Sequence, residues 1–201
     1  MAINIISLIV FFIFLSAYLL KLVLMNKRAG IKALVLAKGN KGRAVDSSEF
    51  WVKTSTFLWG AVWILESLFS EWFAEYVPYL FQNKTVSYTG LLVITMGLVF
   101  FILSMITMKN SWRVGIDQHT KTQLITDGLY KYSRNPAFVG FNLMFIGLLF
   151  TYPNLVTLIV CLMNLISIHR LILQEEKHLE NMFQRQYTEY KNKTPRYFLV
   201  F

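Results

Sequence analysis

Five apolar blocks alternate with polar, basic stretches along the chain. Ile3 to Met25 is apolar for longer than the roughly 20 residues a membrane-spanning helix needs, broken only by Asn4, Ser7, Ser16 and a terminal Lys21 able to snorkel. Thr54 to Phe81 holds a second block, interrupted by Glu66, Glu71 and Glu75 and closed at Pro78 beside an interfacial cluster of Trp72, Phe73, Tyr76, Tyr79 and Phe81. Tyr88 to Met108 is an unbroken third. Pro136 to Tyr152, at 17 residues, is short for a crossing, and Asn154 to Leu173 follows it after one turn, which predicts a tight helical hairpin. Between them lie Asn26 to Lys53, read as a flexible or short-helical loop on the membrane surface, and the polar loop Lys109 to Asn135. In Glu175 to Asn192 the residues Leu179, Met182, Phe183, Tyr187 and Tyr190 recur at spacings of three and four, the pattern of an amphipathic helix lying against a membrane. The expected fold is all-α: a polytopic membrane protein with five transmembrane helices plus a C-terminal amphipathic helix. It forms one domain over 1–201, with a three-helix scaffold in 1–108 and a second half in 109–201.

Composition agrees. Of 201 residues 55% are hydrophobic and the mean hydropathy is +0.47, values of a chain that lives in a bilayer. The start MAINIISLIV lacks a basic n-region, so the first block reads as a retained span. The single Cys161 sits in an apolar block and offers neither a disulfide framework nor a cysteine metal site. The +9 net charge is unevenly placed: seven basic residues lie in 26–53, five in 109–135 (Lys109, Arg113, Lys121, Lys131, Arg134) and six in 169–201, which is 18 of 20. By the positive-inside rule the N-terminus is outside and all three basic segments are cytoplasmic. That asymmetry accounts for the charge without nucleic acid, for which there is no recognition motif.

Two polar segments carry candidate chemistry. In Thr126 to Gly140, TDGLYKYSRNPAFVG, Pro136 suits the first turn of a helix and drives Asn135 into an extended N-cap conformation. Free amides and the positive end of the helix dipole then lie beside Arg134 and Lys131, an arrangement suited to an anionic group. A plain stop-transfer boundary would have the same composition. In the second segment Glu175 and Glu176 directly follow an apolar span, and His169 and Arg170 lie one and a half to two turns nearer the membrane. His169, Glu175, Glu176 and His178 lack metal-ligand spacing, so no metal is expected. A better match is a zwitterionic or cationic ligand, its amino or sulfonium group facing the carboxylates and its own carboxylate at Arg134; a solvated acidic helix start is the simpler alternative.

The set SWRVGI (Ser111 to Ile116), GLYKYSRNPAFVG (Gly128 to Gly140) and EEKHLENMFQRQYTEYKNKTPRYF (Glu175 to Phe198) resembles the integral-membrane methyltransferases of the isoprenylcysteine carboxyl methyltransferase type. The Asn-Pro form of the central motif is shared with the related phosphatidylethanolamine N-methyltransferases. The resemblance implies that S-adenosylmethionine binds at the cytoplasmic face, leaving S-adenosylhomocysteine as product, while a lipid-like acceptor arrives from the bilayer. Carried over, Arg134, Asn135, Pro136 and Gly140 would shape the cofactor pocket, with Tyr130 and Tyr132 beside the adenine or ribose and Glu175 and Glu176 holding the amino or sulfonium side. Arg170 would orient an acceptor carboxylate, Arg196 would be a weaker candidate, and Glu175 or Glu176 would take the proton of an amine acceptor, which makes 109–201 the cofactor-binding catalytic half. Departures are Asn135 where many relatives have His, Phe138 for Tyr, Gln184 for Gly and Thr194 for Val. The competing readings are an NADPH-dependent sterol-type reductase and a non-catalytic membrane scaffold.

Overall fold

The computed structural model describes residues 2–120 and 122–198, so Lys121 of the second basic loop lies outside the described residues. Six α-helices follow in order: α1 (Ala2–Ala29), α2 (Arg43–Tyr76), α3 (Lys84–Thr107), α4 (Pro136–Thr151), α5 (Leu155–Phe183) and α6 (Arg185–Lys193). Single 3-10 turns stand at Lys109–Ser111 and Gly128–Lys131. Among the described residues there is no β-strand, only the isolated bridges Leu34 to Val114 and Tyr79 to Asn154. Helices α1, α3 and α5 are long and apolar enough to cross a bilayer.

The helix bounds depart from the sequence reading in two places. Helix α2 begins at Arg43, inside the stretch expected as a loop, because Gly42 turns the chain at φ 96 and the Asp46 carboxylate accepts from the Lys41 amide at 3.1 Å. Ser48, Glu49 and Val52 are buried, so its first turns pack inward rather than lie on a surface. The helix expected to start afresh at Glu175 does not do so: α5 runs unbroken through Glu175 and Glu176 to Phe183, and only Arg185–Lys193 forms a separate helix. The break falls at Gln184, with φ 46, a conformation that favours glycine.

Close approach of α3 and α4 frames the bundle. A Cβ on Gly97 would lie 2.6 Å from the Gly140 carbonyl oxygen, and one on Gly90 2.6 Å from that of Gly147; the reciprocal distances are 2.7 Å. The pairs are two helical turns apart on each helix, which lets the antiparallel backbones touch where apolar side chains have no water to escape from. Against this frame Phe14, Trp59, Phe101 and Phe141 interlock, with ring centroids 4.9 Å apart for Phe101 and Phe141 and 5.5 Å for Phe14 and Phe101.

At one end of the bundle the α4–α5 hairpin is pinned by polar groups. Asn154 caps α5 through a reciprocal pair of bonds with Thr157, and its amide also donates to the fully buried Glu66, which Tyr79 approaches at 3.5 Å. The Glu66 carboxyl is thus engaged inside the protein, as a buried polar group must be.

Candidate functional site

At the other end, where the polar loops gather, the helices enclose a cavity of about 800 Å³. Its deep part is aromatic and apolar, lined by Phe14, Trp59, Phe101 and Phe141. It reaches the outer surface between α1 and α2, where Phe57 is 74% exposed and Gly60 lines the wall; a Cβ on Gly60 would meet nothing closer than a ring atom of Phe11 at 3.9 Å. The polar part is lined by Tyr130, Arg134, Asn135, Glu175 and Tyr187. One continuous space therefore joins an exposed apolar opening to a charged chamber.

The charged chamber is built by clamping the Arg134-Asn135-Pro136 segment to the C-terminal residues. Arg134 Nε and Nη2 donate to the Glu176 carboxylate at 3.1 and 3.2 Å, and its Nη1 donates to the carbonyls of Thr194 at 2.6 Å and Lys191 at 3.2 Å. Arg196 approaches the same carboxylate at 2.9 Å. The Asn135 amide donates to Glu176 Oε1 at 3.0 Å, so its side chain leaves the α4 amides uncapped although it holds the cap position. Tyr190 donates to the Tyr130 carbonyl at 2.6 Å and Ser133 to that of Arg196 at 3.0 Å. The cluster is dry, with Arg134 and Glu176 side chains 8% and 6% exposed. Burial pushes the hydroxyls of Tyr130, Tyr187 and Tyr190 up, so they serve as neutral hydrogen-bonding groups and not as bases.

Glu175 is different. It lines the cavity and has no ion pair or hydrogen bond among the described residues, and the charge of Glu176 lies next to it along the helix. A carboxylate so placed favours a cation brought in by a ligand. The first turn of α4, where Ala137 and Phe138 line the cavity, adds amides that no intrahelical carbonyl reaches. A third wall comes from the loop after α3. There Asp117 accepts from Arg113 Nε at 2.9 Å, from the amides of His119 and Thr120 at 3.0 and 3.1 Å and from the Thr120 hydroxyl. Burial alone would raise the Asp117 carboxyl; these bonds outweigh it and hold the group well below the usual carboxylate range.

Of the residues singled out by sequence, Tyr130, Arg134, Asn135 and Glu175 line the cavity. Glu176 and Arg196 stand behind its wall as the clamp, and Pro136 is buried at the head of α4. The remaining three lie elsewhere. Gly140 is used in helix packing against Gly97 and Phe101, Tyr132 is 64% exposed, and Arg170 is exposed and does not line the cavity. The uninterrupted α5 explains Arg170: five residues from Glu175 is about 140° around a helix of 3.6 residues per turn, so the two side chains diverge. The sequence reading also missed Lys38, Lys53 and Tyr187, which line the cavity from the loop before α2, from α2 and from α6 respectively. In the loop after α3, Gly115 of SWRVGI stands at φ 91, a conformation that favours glycine.

Residues 86–186 match the family model for phospholipid methyltransferases. Among curated proteins the chain is similar to protein-S-isoprenylcysteine O-methyltransferase B of Arabidopsis thaliana, with 30% identity over 135 residues, covering 62% of this chain and 66% of the relative. It is also similar to a probable protein-S-isoprenylcysteine O-methyltransferase of Oryza sativa subsp. indica (33% over 119 residues, 58% and 62%) and to the protein-S-isoprenylcysteine O-methyltransferase of Saccharomyces cerevisiae (32% over 120 residues, 57% and 49%). The alignments thus span under two thirds of each of these relatives. No solved structure matches the chain.

Proposed function

Since the chain belongs to the phospholipid methyltransferase family, we propose that it transfers a methyl group from S-adenosylmethionine to an apolar, lipid-like acceptor. The observation that carries this reading is the single cavity joining a lipid-facing portal at Phe57 and Gly60 to a chamber holding the unpaired Glu175. S-adenosylmethionine, when bound, supplies an electrophilic methyl on a sulfonium. The chain supplies position and dryness. Glu175 would hold the cationic amino or sulfonium side, the open amides of α4 would receive the carboxylate, and Tyr130 would pack beside the nucleoside. Arg134 would shape the chamber without receiving the carboxylate itself, since its guanidinium is spent on Glu176 and two carbonyls. Holding the acceptor in line with the methyl and excluding water contributes several kcal/mol without covalent help from the protein.

The acceptor is inferred to be a carboxylate in preference to an amine. Lys38 and Lys53 line the cavity with no acidic partner among the described residues, whereas Arg113 and Arg134 are paired. An amine head group would meet two uncompensated cations; a carboxylate would be attracted and, already a nucleophile, would need no base. The relatives named as isoprenylcysteine O-methyltransferases support the same choice. Helices α2 and α4 are taken to complete a five-helix membrane bundle, with residues 109–198 as its donor-binding half, and the basic loops favour the cytoplasmic side for the site.

Calorimetry with S-adenosylhomocysteine on the detergent-purified chain, with NADPH as control, tests the donor, and methylation of a prenylcysteine carboxylate against phosphatidylethanolamine tests the acceptor. Binding of S-adenosylhomocysteine alone and labelling of the carboxylate are expected. Binding of NADPH instead would turn the reading to a reductase, and binding of neither by folded protein would leave a scaffold.

A further inference from the structure

Residues 31–41, between α1 and α2, cross over to the loop after α3 and meet it along a short two-sided seam. Val35 N donates to the Val114 carbonyl at 3.0 Å and Val114 N to that of Ala33 at 2.9 Å, around the parallel bridge of Leu34 with Val114. Leu34, Leu36 and Lys38 line the cavity from one side of the seam, and Val114, Gly115 and Ile116 from the other. The two strips are in backbone contact: a Cβ on Gly115 would lie 2.7 Å from Leu36 Cα.

One side chain holds both strips. Glu49, fully buried in the second turn of α2, accepts from Ala37 N at 2.8 Å and from Ile116 N at 2.7 Å, and Lys41 Nζ meets both of its oxygens at 2.8 Å. The Lys41 ammonium, 7% exposed, also donates to the Val35 carbonyl at 2.7 Å. Ala37 is held at φ 54, a conformation an alanine keeps only when its surroundings impose it, and its amide is one of the two that Glu49 binds. With three donors converging on it, the carboxylate satisfies both strips at once; without it the buried Ile116 amide and the part-buried Ala37 amide lose their partner and the Lys41 ammonium its counter-charge.

We propose that residues 31–41 form a roof over the cavity and that Glu49 is the positioning residue that keeps this roof closed over the methyl donor. The donor part of this inference rests on the methyltransferase reading; the roof itself does not. Glu49 touches neither donor nor acceptor. It acts through the placement of Leu36 and Lys38 on one side and Gly115 and Ile116 on the other. An open roof admits water to the chamber and lets the donor escape.

The test uses the full chain in detergent with Leu36→Cys as a reporter and a water-soluble maleimide as probe; the native Cys161, buried in α5, reports global unfolding in the same sample. Glu49→Gln is expected to raise labelling at position 36 about tenfold or more and to weaken S-adenosylhomocysteine by a similar factor, the loss typical of a hydrogen bond to a charged group, while Cys161 stays protected. An oxidised Leu34→Cys, Val114→Cys pair across the bridge should restore affinity to Glu49→Gln, which a merely destabilised protein would not show. Unchanged labelling at position 36 overturns the roof, and faster labelling with unchanged affinity overturns the positioning role. If Glu49→Gln exposes Cys161, the same cysteine pair in the Glu49 background decides: ligand exchange slowed by oxidation and restored by reduction supports the roof, and exchange indifferent to oxidation overturns it. Should the wild type bind no S-adenosylhomocysteine, the labelling still reads the roof, and only the methyltransferase reading falls.

Discussion

Glu175 and Glu176 adjoin in the chain and have opposite surroundings: Glu176 is gripped by Arg134 and Arg196, while Glu175 lines the cavity with no ion pair among the described residues. The two substitutions to Gln should therefore separate. Glu176→Gln leaves the buried Arg134 uncompensated and should destabilise the protein by about 3 kcal/mol, the scale of a broken buried pair, read as a lower thermal midpoint in detergent. Glu175→Gln should leave that midpoint within error and weaken S-adenosylmethionine by on the order of 100-fold, as loss of a charge-assisted contact implies. A large drop in midpoint for Glu175→Gln would place that residue in the clamp and not in the site.

Gly60 tests the portal. Gly60→Ala has room, since the nearest atom to its Cβ would be 3.9 Å away, and should be silent. Gly60→Phe should fill the gap between α1 and α2, raising KM for a long-chain acceptor while calorimetric binding of S-adenosylhomocysteine is unaltered. Equal loss for short and long acceptors would show that the chain enters elsewhere.

Gly97 and Gly147 test the frame. Their Cβ positions collide with backbone at 2.6 and 2.7 Å, which no side-chain rotation relieves. Gly97→Ala and Gly147→Ala should each cost about 1–3 kcal/mol, the range for overpacking, with urea or thermal unfolding as the readout. Gly60→Ala in the same assay serves as the tolerated control.

Lys53 tests the acceptor's charge. Lys53→Glu reverses a cation of the cavity wall that has no acidic partner among the described residues, and kcat/KM for a carboxylate acceptor should fall on the order of tenfold, an effect of about 1.4 kcal/mol. The fall should sit in KM and shrink at high salt. An increase for an amine acceptor with no loss for the carboxylate would reverse the assignment.

Asp117 gives a dependence on pH. Its carboxyl titrates below the usual range in the folded protein, so its stabilisation of the loop is complete above the unfolded value of about 3.9 and is lost as pH falls through the lower folded one. Amide protection at 119–120, corrected for the intrinsic pH dependence of exchange, should hold from neutral pH down to about pH 4 and fall progressively below it. Asp117→Asn should exchange fast throughout; a wild-type transition near neutrality would contradict the carboxylate's role.

Much of the fold could be read from the chain because its signals are local. Apolar length gave α1, α3 and α5, the Tyr152-Pro153-Asn154 turn gave the hairpin, and Pro136 marked the head of α4. The extension of α5 was hidden because Leu173-Gln174-Glu175 changes polarity without any helix stop, so a change of solvent resembled a change of element. In the site, the residues adjacent to Pro136 and Glu175 were legible as charge next to an apolar run. Arg170 shared that signature, and only the helical phase of an unbroken α5 turns it away. Lys38, Lys53 and Glu49 gave no signal, since their roles come from contacts between segments more than 60 residues apart, such as Glu49 with Ile116.

The portal and the roof belong to residues 11–64, all before residue 86, where the match to the family begins, while Arg134, Asn135 and Glu175 lie inside it. The enclosure is thus assembled from two stretches, one before the family match and one within it. On the methyltransferase reading, substitutions at the portal in the first stretch would change the size or length of what is admitted while the donor's contacts in the second stay as they are. Selectivity would then be open to change apart from the binding of the donor.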